Sequence, residues 1–356
     1  MYIDVDIEEA LRRRDTIFID VRSENEYQND TVPGAVNIPV LHNEDRAAVG
    51  LLYRHKGAEA ALQLGISLVA PKLAEKLSAV EGLSASRSLT VFCWRGGQRS
   101  QAMADFFAGA GYTVYRVNGG YKAYRRYVSD YLENRRLPLE SVVLHGLTGV
   151  GKTEILQRLS AKGLPVLDLE GLAQHRGSVY GKIGLPPSPS QKAFESQIVF
   201  VLKKAMEQGV FLVECESRRI GNLLTPPLIM DFIRQGAKVL LYCSMDRRIS
   251  RIREIYAGNL DENITLLQSA TAALARRLGK NKVDELNRLL SEKEYDKVIA
   301  FMLEHHYDPL YNYPCRPDDG YDLCVDTGNI EEATENIYGF VVNIGIQGKG
   351  ERQKGS

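Results

Sequence analysis

Apolar positions in residues 1–135 come in short runs separated by segments of helical period. Thr16-Ile-Phe-Ile-Asp20 is an apolar run closed by an acid, the pattern of a strand covered on both faces in a parallel sheet. Val36-Asn-Ile-Pro39 follows the turn pair Pro33-Gly34 and is a shorter candidate; Leu89–Phe92 and Thr113–Val117 are two more. Helical spacing covers 6–14, 58–80, 98–110 and 119–134. Strands alternating with helices predict an α/β domain with a mainly parallel sheet.

Pro138, among polar residues in Arg136–Glu140, marks a boundary between a domain at 1–137 and a second at 138–356. A new α/β pattern starts at Val142–His145 and continues with strands at Pro165–Asp168, Val210–Glu214 and Ala237–Tyr242. Helices are predicted over 152–162, 190–208 and 226–235. Residues 246–306 read as almost all helix, a helical insertion or extension broken near 258–262 and 279–281. A strand at Asp322–Asp326 and a helix over 330–343 close the pattern, and the polar stretch Gly348–Ser356 is expected to be disordered.

Length and composition agree with that division. The 356 residues suit two domains of roughly 150 each. A 44% hydrophobic and 25% charged composition excludes a disordered or fibrous chain. Forty-five basic residues balance forty-five acidic ones, which excludes a bulk polycation but leaves room for a local basic surface. Cysteines stand at 93, 215, 243, 315 and 324, an odd count without a C-x-x-C pair. That pattern argues against a disulfide framework and a four-cysteine zinc site, and for a reducing compartment. His305, His306, Cys315 and Cys324 match no standard zinc spacing and are assigned to packing, so no metal site is expected there. The N-terminus shows no apolar signal region, and no stretch reaches the ~18 apolar residues of a membrane span. A cytoplasmic chain without a membrane partner is expected.

Gly146-Leu-Thr-Gly-Val-Gly-Lys-Thr153 fulfils G-x-x-x-x-G-K-[ST] between an apolar strand and a helical pattern. Gly146, Thr148, Gly149 and Gly151 let backbone N–H groups curl round a phosphate at a helix N-terminus. Lys152 reaches the outer phosphates, and Thr153 holds magnesium where one is present. The motif specifies a polyphosphate; a nucleotide is the default, but any diphosphate ester presents similar oxygens. Candidate partners are Glu214, at the end of a strand, and Asp168, Glu170 and Glu216, each able to serve as metal ligand, base or helix cap. His175 and Arg176, in a glycine-containing loop, are candidates for phosphate contact.

Cys93 stands between a strand end and a helix start, and Trp94, Arg95, Gly96, Gly97 and Arg99 follow it. Inward-turned N–H groups, the helix dipole and the two arginines form an anion cradle around the sulfur. This is a setting for a nucleophilic thiolate that carries an anionic or persulfide-like group. The spacing C-x5-R fits cysteine phosphatases as well as sulfur transferases.

The surroundings of Cys93 resemble the rhodanese pattern. Asp20-Val-Arg-Ser-Glu-Asn-Glu-Tyr27, Val32-Pro-Gly-Ala-Val-Asn-Ile-Pro39 and Asn118-Gly-Gly-Tyr-Lys-Ala123 match its successive segments, although Asp30-Thr31 replaces the usual glycine-histidine pair. A rhodanese-like segment ahead of a phosphate loop resembles the tRNA 2-selenouridine synthase family. Leu167–Ala173, His175–Ser178 and Glu216–Gly221 are also similar to segments of that family. The resemblance implies an enzyme acting on the wobble uridine of tRNA. It implies S-geranylation of 2-thiouridine from geranyl diphosphate, then replacement of the S-geranyl group by selenium from selenophosphate carried on Cys93. Neither co-substrate is implied as a tightly bound cofactor. For tRNA contact, Arg218, Arg219, Arg247, Arg248, Arg276 and Arg277 form local basic clusters, and Trp94 could stack on the base. A phosphatase or sulfurtransferase joined to a nucleotide kinase, and a non-catalytic RNA-binding scaffold, are the competing readings.

Overall fold

The computed structural model describes residues 1–83, 88–134, 136–257 and 263–354. It divides into two units, Met1–Arg135 with Glu195–Gln197, and Arg136–Phe194 with Ile198–Ser356. Both are α/β.

In the first unit the strands are β1 (Ile3–Val5), β2 (Thr16–Asp20), β3 (Val36–Asn37), β4 (Ser88–Phe92) and β5 (Val114–Val117). They form one parallel sheet in the order β1-β5-β4-β2-β3. Central β4 is buried on both faces: Leu89, Thr90 and Val91 are fully buried, Leu89 and Val91 among Ile19, Met103 and Phe107. Its register with β2 pairs Asp20 with Phe92, so the residue after Phe92, Cys93, emerges at the carboxyl edge of the sheet beside Asp20. The helical pattern of 58–80 belongs to a longer stretch. One helix spans Asn43–Val69 with a non-helical Gly57, a short 3-10 turn occupies Ala70–Lys72, and a second helix spans Leu73–Glu81. Pro71 sits in the turn, where its missing N–H ends the helical ladder.

In the second unit, β6 (Glu140–His145), β7 (Val166–Leu167), β8 (Val210–Glu214), β11 (Ala237–Tyr242) and β12 (Leu323–Asp326) make a parallel sheet ordered β12-β11-β6-β8-β7. Between β8 and β11 lies an antiparallel pair, β9 (Arg219–Ile220) and β10 (Leu223–Leu224). β6 runs between β11 and β8, so the loop after His145 opens at the carboxyl edge where ligands bind in such sheets. The expected helical region is a series of short helices, Ile264–Ala272, Ala275–Leu278, Lys280–Ser291 and Tyr295–Met302, then a π-type turn at Leu303–Tyr307 and a last turn at Asp308–Tyr311. Leu267, Leu286, Leu290, Val298, Met302 and Leu303 give it its own apolar core. The closing helix, Ile330–Lys354, packs Ile337 and Val341 against the sheet and runs past 343 into residues expected to be disordered. The expected break at 258–262 lies outside the described residues. No helix among the described residues is long and apolar enough to cross a membrane.

Candidate active sites

The phosphate loop turns directly from β6 into the helix Lys152–Ala161. Gly151 caps that helix with φ at 93°, a left-handed conformation that demands glycine. Thr148, Gly149, Gly151, Lys152 and Thr153 line a cavity of about 800 Å³, while Gly146 sits at the base of the loop, its carbonyl accepting from Lys152 Nζ at 2.9 Å.

Two arginines of the helix Met245–Ala257 hold the loop, Arg251 as part of the cavity lining. Arg248 Nε donates to the Thr148 carbonyl at 2.7 Å, and its other two nitrogens form a fork onto Asp308 at 2.8 and 2.5 Å. Arg251 donates to the Val150 carbonyl and to Thr327. Arg248 is therefore turned inward, unlike an arginine of a basic surface. Its side chain is only 4% exposed, and its charge is spent on Asp308 and the loop. Arg218, Arg219, Arg247, Arg276 and Arg277 are exposed, as the basic-surface expectation requires.

Acids crowd the polar end of the cavity. Asp168, Glu170 and Glu216 line it. Glu214 does not: it is fully buried behind them, with Oε1 accepting the Glu170 N–H at 3.1 Å. Asp168 Oδ1 accepts the Gly171 N–H and so caps the short helix Leu169–Ala173. Burial, and then mutual repulsion with Glu170, Glu216 and Asp168, drive the Glu214 carboxyl well above the usual carboxylate range. Burial, followed by Glu216, pushes Glu170 up to about 8 against the pull of Lys152. A neutral carboxylic acid can face a phosphate without charge repulsion and can donate to it.

Of the neighbouring loop, Arg176 lines the cavity and donates to the Ile183 carbonyl at 3.0 Å. His175 does not line it. Its ring packs on Gly181 and Gly221, where any Cβ would come within 2.9 Å of ring atoms, and burial followed by Lys182 favours the uncharged ring. The apolar part of the lining comes mostly from the helical region: Ile252, Leu267, Leu290, Val298, Met302 and Leu303 belong to it, beside polar Gln157, Arg251 and Glu254. The sequence shows their helical period; it does not show that they face the phosphate loop.

Cys93 leaves β4 with its side chain 3% exposed and its thiol donating to Ser100 Oγ at 3.2 Å. The loop is clamped by the segment after β5: the Tyr121 and Lys122 N–H groups donate to the Cys93 and Trp94 carbonyls at 2.8 and 3.0 Å. Gly120 makes this approach possible. Its φ is 55°, and a Cβ would fall 2.2 Å from the Cys93 carbonyl oxygen and 2.6 Å from the Gly96 nitrogen. Gly96 and Gly97 form the turn, and Gly97 precedes the helix Gln98–Gly109 as its cap. Arg95 is exposed. Arg99 is instead paired with Glu26 at 2.9 Å, which takes its charge away from an open anion cradle. Trp94 packs on Tyr121 with ring centroids 5.2 Å apart, and Arg22 lies 3.8 Å above the Tyr121 ring while paired with buried Asp20.

Comparison with known families agrees with both halves of this geometry. The model for the rhodanese-like domain matches residues 5–127, and that for the tRNA 2-selenouridine synthase AAA domain matches residues 139–338. A tRNA 2-selenouridine synthase of Hydrogenovibrio crunogenus is 32% identical over 83% of this chain and 88% of its own. That of Cupriavidus pinatubonensis is 34% identical over 84% and 88%, and that of Pseudomonas syringae pv. syringae 34% over 85% and 90%. A phosphate loop and a cysteine loop, each in its expected fold and within one chain of matching extent, place this protein in the tRNA 2-selenouridine synthase family.

Proposed function

We propose that the chain converts 2-thiouridine at the wobble position of tRNA to 2-selenouridine in two stages. In the first, geranyl diphosphate binds with its diphosphate on Gly146–Thr153 and its chain among the side chains of the helical region. The thiocarbonyl sulfur forms a bond to the first carbon of the chain, the carbon–oxygen bond breaks, and diphosphate leaves with the electron pair. The ring nitrogen loses its proton. Lys152 and the loop N–H groups stabilise the departing charge, and Thr153 would hold a magnesium ion on the diphosphate. In the second stage selenophosphate is held at the Cys93 loop: its selenium forms a bond to the base carbon, the carbon–sulfur bond breaks, and geranylthiol, which leaves far more readily than a bare thiocarbonyl sulfur, departs with the electron pair; water then takes the phosphoryl group as phosphate and 2-selenouridine remains.

The observation that carries this reading is the cavity: a phosphate loop opening into about 800 Å³, part of whose wall is aliphatic, with Leu267, Leu290, Val298, Ile299 and Leu303 in it. Burying a ten-carbon chain there is worth several kcal/mol at about 0.8 kcal/mol per CH₂. Exposed Arg218, Arg219, Arg247, Arg276 and Arg277 supply phosphate contacts for the tRNA. Equilibrium binding tests the reading. Geranyl diphosphate should bind and be displaced by inorganic diphosphate but poorly by ATP. Tight ATP binding without competition by geranyl diphosphate would favour a nucleotide kinase instead.

A further inference from the structure

Alkylation at the phosphate loop requires the base to enter the same cavity, because its sulfur must reach the carbon that bears the diphosphate. That carbon lies where the polar and apolar parts of the cavity meet. We infer that Tyr311 is the platform on which the target uracil ring stacks at this junction, an inference that rests on the alkylation reading above.

Four tyrosines line the cavity: Tyr180, Tyr295, Tyr307 and Tyr311. Tyr180 is tied through its hydroxyl to Thr271 Oγ1 at 2.8 Å, and Tyr307 is 7% exposed within the helical core. Tyr295 starts the helix Tyr295–Met302 and packs on that same core. Tyr311 packs against both the sheet core and the helical core, so it sits on the seam between them. Its phenol also faces the carboxyls: burial, followed by Glu216, Glu170 and Glu214, pushes it up to about 12, so it stays neutral.

The ring is held in place. Tyr313 lies nearly parallel to it, 13° between planes and 6.1 Å between centroids, and stands edge-on to His145, the last residue of β6 before the phosphate loop. The short helix Asp308–Tyr311 ends at Asn312, which is left-handed with φ at 52° and donates its N–H to the Asp308 carbonyl at 2.9 Å. The Asp308 carboxylate holds Arg248, and Arg248 holds the Thr148 carbonyl. Ring and phosphate loop are therefore linked through one arginine. A wobble base, already single-stranded in its loop, is the kind of base that proteins splay out and stack on an aromatic ring.

The test uses an anticodon stem-loop RNA carrying 5-iodouracil at the wobble position, irradiated with the full-length protein and mapped by peptide mass spectrometry. The expected adduct is on Tyr311. In parallel, S-geranylation of the 2-thiouridine stem-loop is followed. Tyr311→Phe should retain activity, whereas Tyr311→Leu should raise the KM for RNA roughly ten- to a hundredfold, the size of one lost base stack. An adduct confined to other residues, or a Tyr311→Leu variant in which only the KM for geranyl diphosphate rises, would overturn the inference and make Tyr311 part of the chain wall. The crosslink needs no alkylation chemistry. An adduct on Tyr311 in a wild type that forms no S-geranyl product would uphold the base site and contradict the geranylation reading.

Discussion

Arg248 offers a quantitative test of how the phosphate loop is supported. Arg248→Ala removes a side chain that is 4% exposed and leaves the Asp308 carboxylate and the Thr148 carbonyl without their donor. Breaking a fully buried ion pair by deleting one partner costs about 3–5 kcal/mol. The Asp308 side chain is 22% exposed, so water recovers part of that loss, and the expected cost is about 2–4 kcal/mol. Urea unfolding should show this as a lower midpoint with an unchanged slope. A double-mutant cycle with Asp308→Ala should give a coupling of about 1.5–3 kcal/mol. Arg247, its exposed neighbour, supplies the contrast: Arg247→Ala should change stability by less than about 0.5 kcal/mol. If Arg247 contacts phosphate, its loss should also lower the salt dependence of RNA binding by about one ion, whereas loss of Arg248 should leave that dependence unchanged. An Arg248→Ala protein of wild-type stability whose RNA binding loses salt dependence would refute this assignment and restore Arg248 to the RNA surface.

Gly120→Ala should disable the cysteine loop, because its new methyl group meets the Cys93 carbonyl and the Gly96 nitrogen. The strain and displacement should cost about 2–4 kcal/mol in a thermal melt and abolish selenation, while Gly34→Ala, also left-handed at φ 82° but with nothing within 4 Å, should cost about 1 kcal/mol. Glu170→Gln should flatten the pH dependence of stability. The carboxyl titrates at about 8 in the fold against 4.5 for the free group, so the folded chain binds the proton more tightly, and wild-type stability should fall as pH rises from 4.5 through 8. Urea midpoints across that window would check it; a Gln variant as pH-sensitive as the wild type would place the titration on Asp168, Glu214 or Glu216 instead.

Strands and both anion loops were legible because each is a local pattern. A buried parallel strand is an apolar run, and a phosphate loop is a run of glycines before a lysine, so β2, β4, β6, β8 and β11 fall where the apolar runs place them. β1 was not legible: Ile3–Val5 has three residues, and its pairing with β5 is set by residues more than a hundred positions away. The hairpin of β9 and β10 has two residues per strand, too few for alternation to show. The burial of Arg248 is not legible for a related reason. A basic residue on a helix normally faces solvent, and only Asp308, sixty positions on, reveals that this one turns inward. Position at a strand end or in the loop after one points His175 and Glu214 to the phosphate site, but packing on Gly181 and Gly221 and complete burial keep them out of its lining. The apolar wall showed its helical period but not its partner, because the face a helix turns toward another element is a tertiary property.

The central claim is that the phosphate loop performs the alkylation and Cys93 the selenium transfer. It is tested most directly by nucleoside mass spectrometry of 2-thiouridine tRNA incubated with geranyl diphosphate, selenophosphate and either Lys152→Ala or Cys93→Ser. Lys152→Ala should form neither S-geranyl-2-thiouridine nor 2-selenouridine, and should regain selenation when supplied with tRNA already S-geranylated. Cys93→Ser should accumulate the S-geranyl nucleoside and make no 2-selenouridine. Wild-type rates of S-geranyl formation by Lys152→Ala, or of 2-selenouridine formation by Cys93→Ser, would contradict the account.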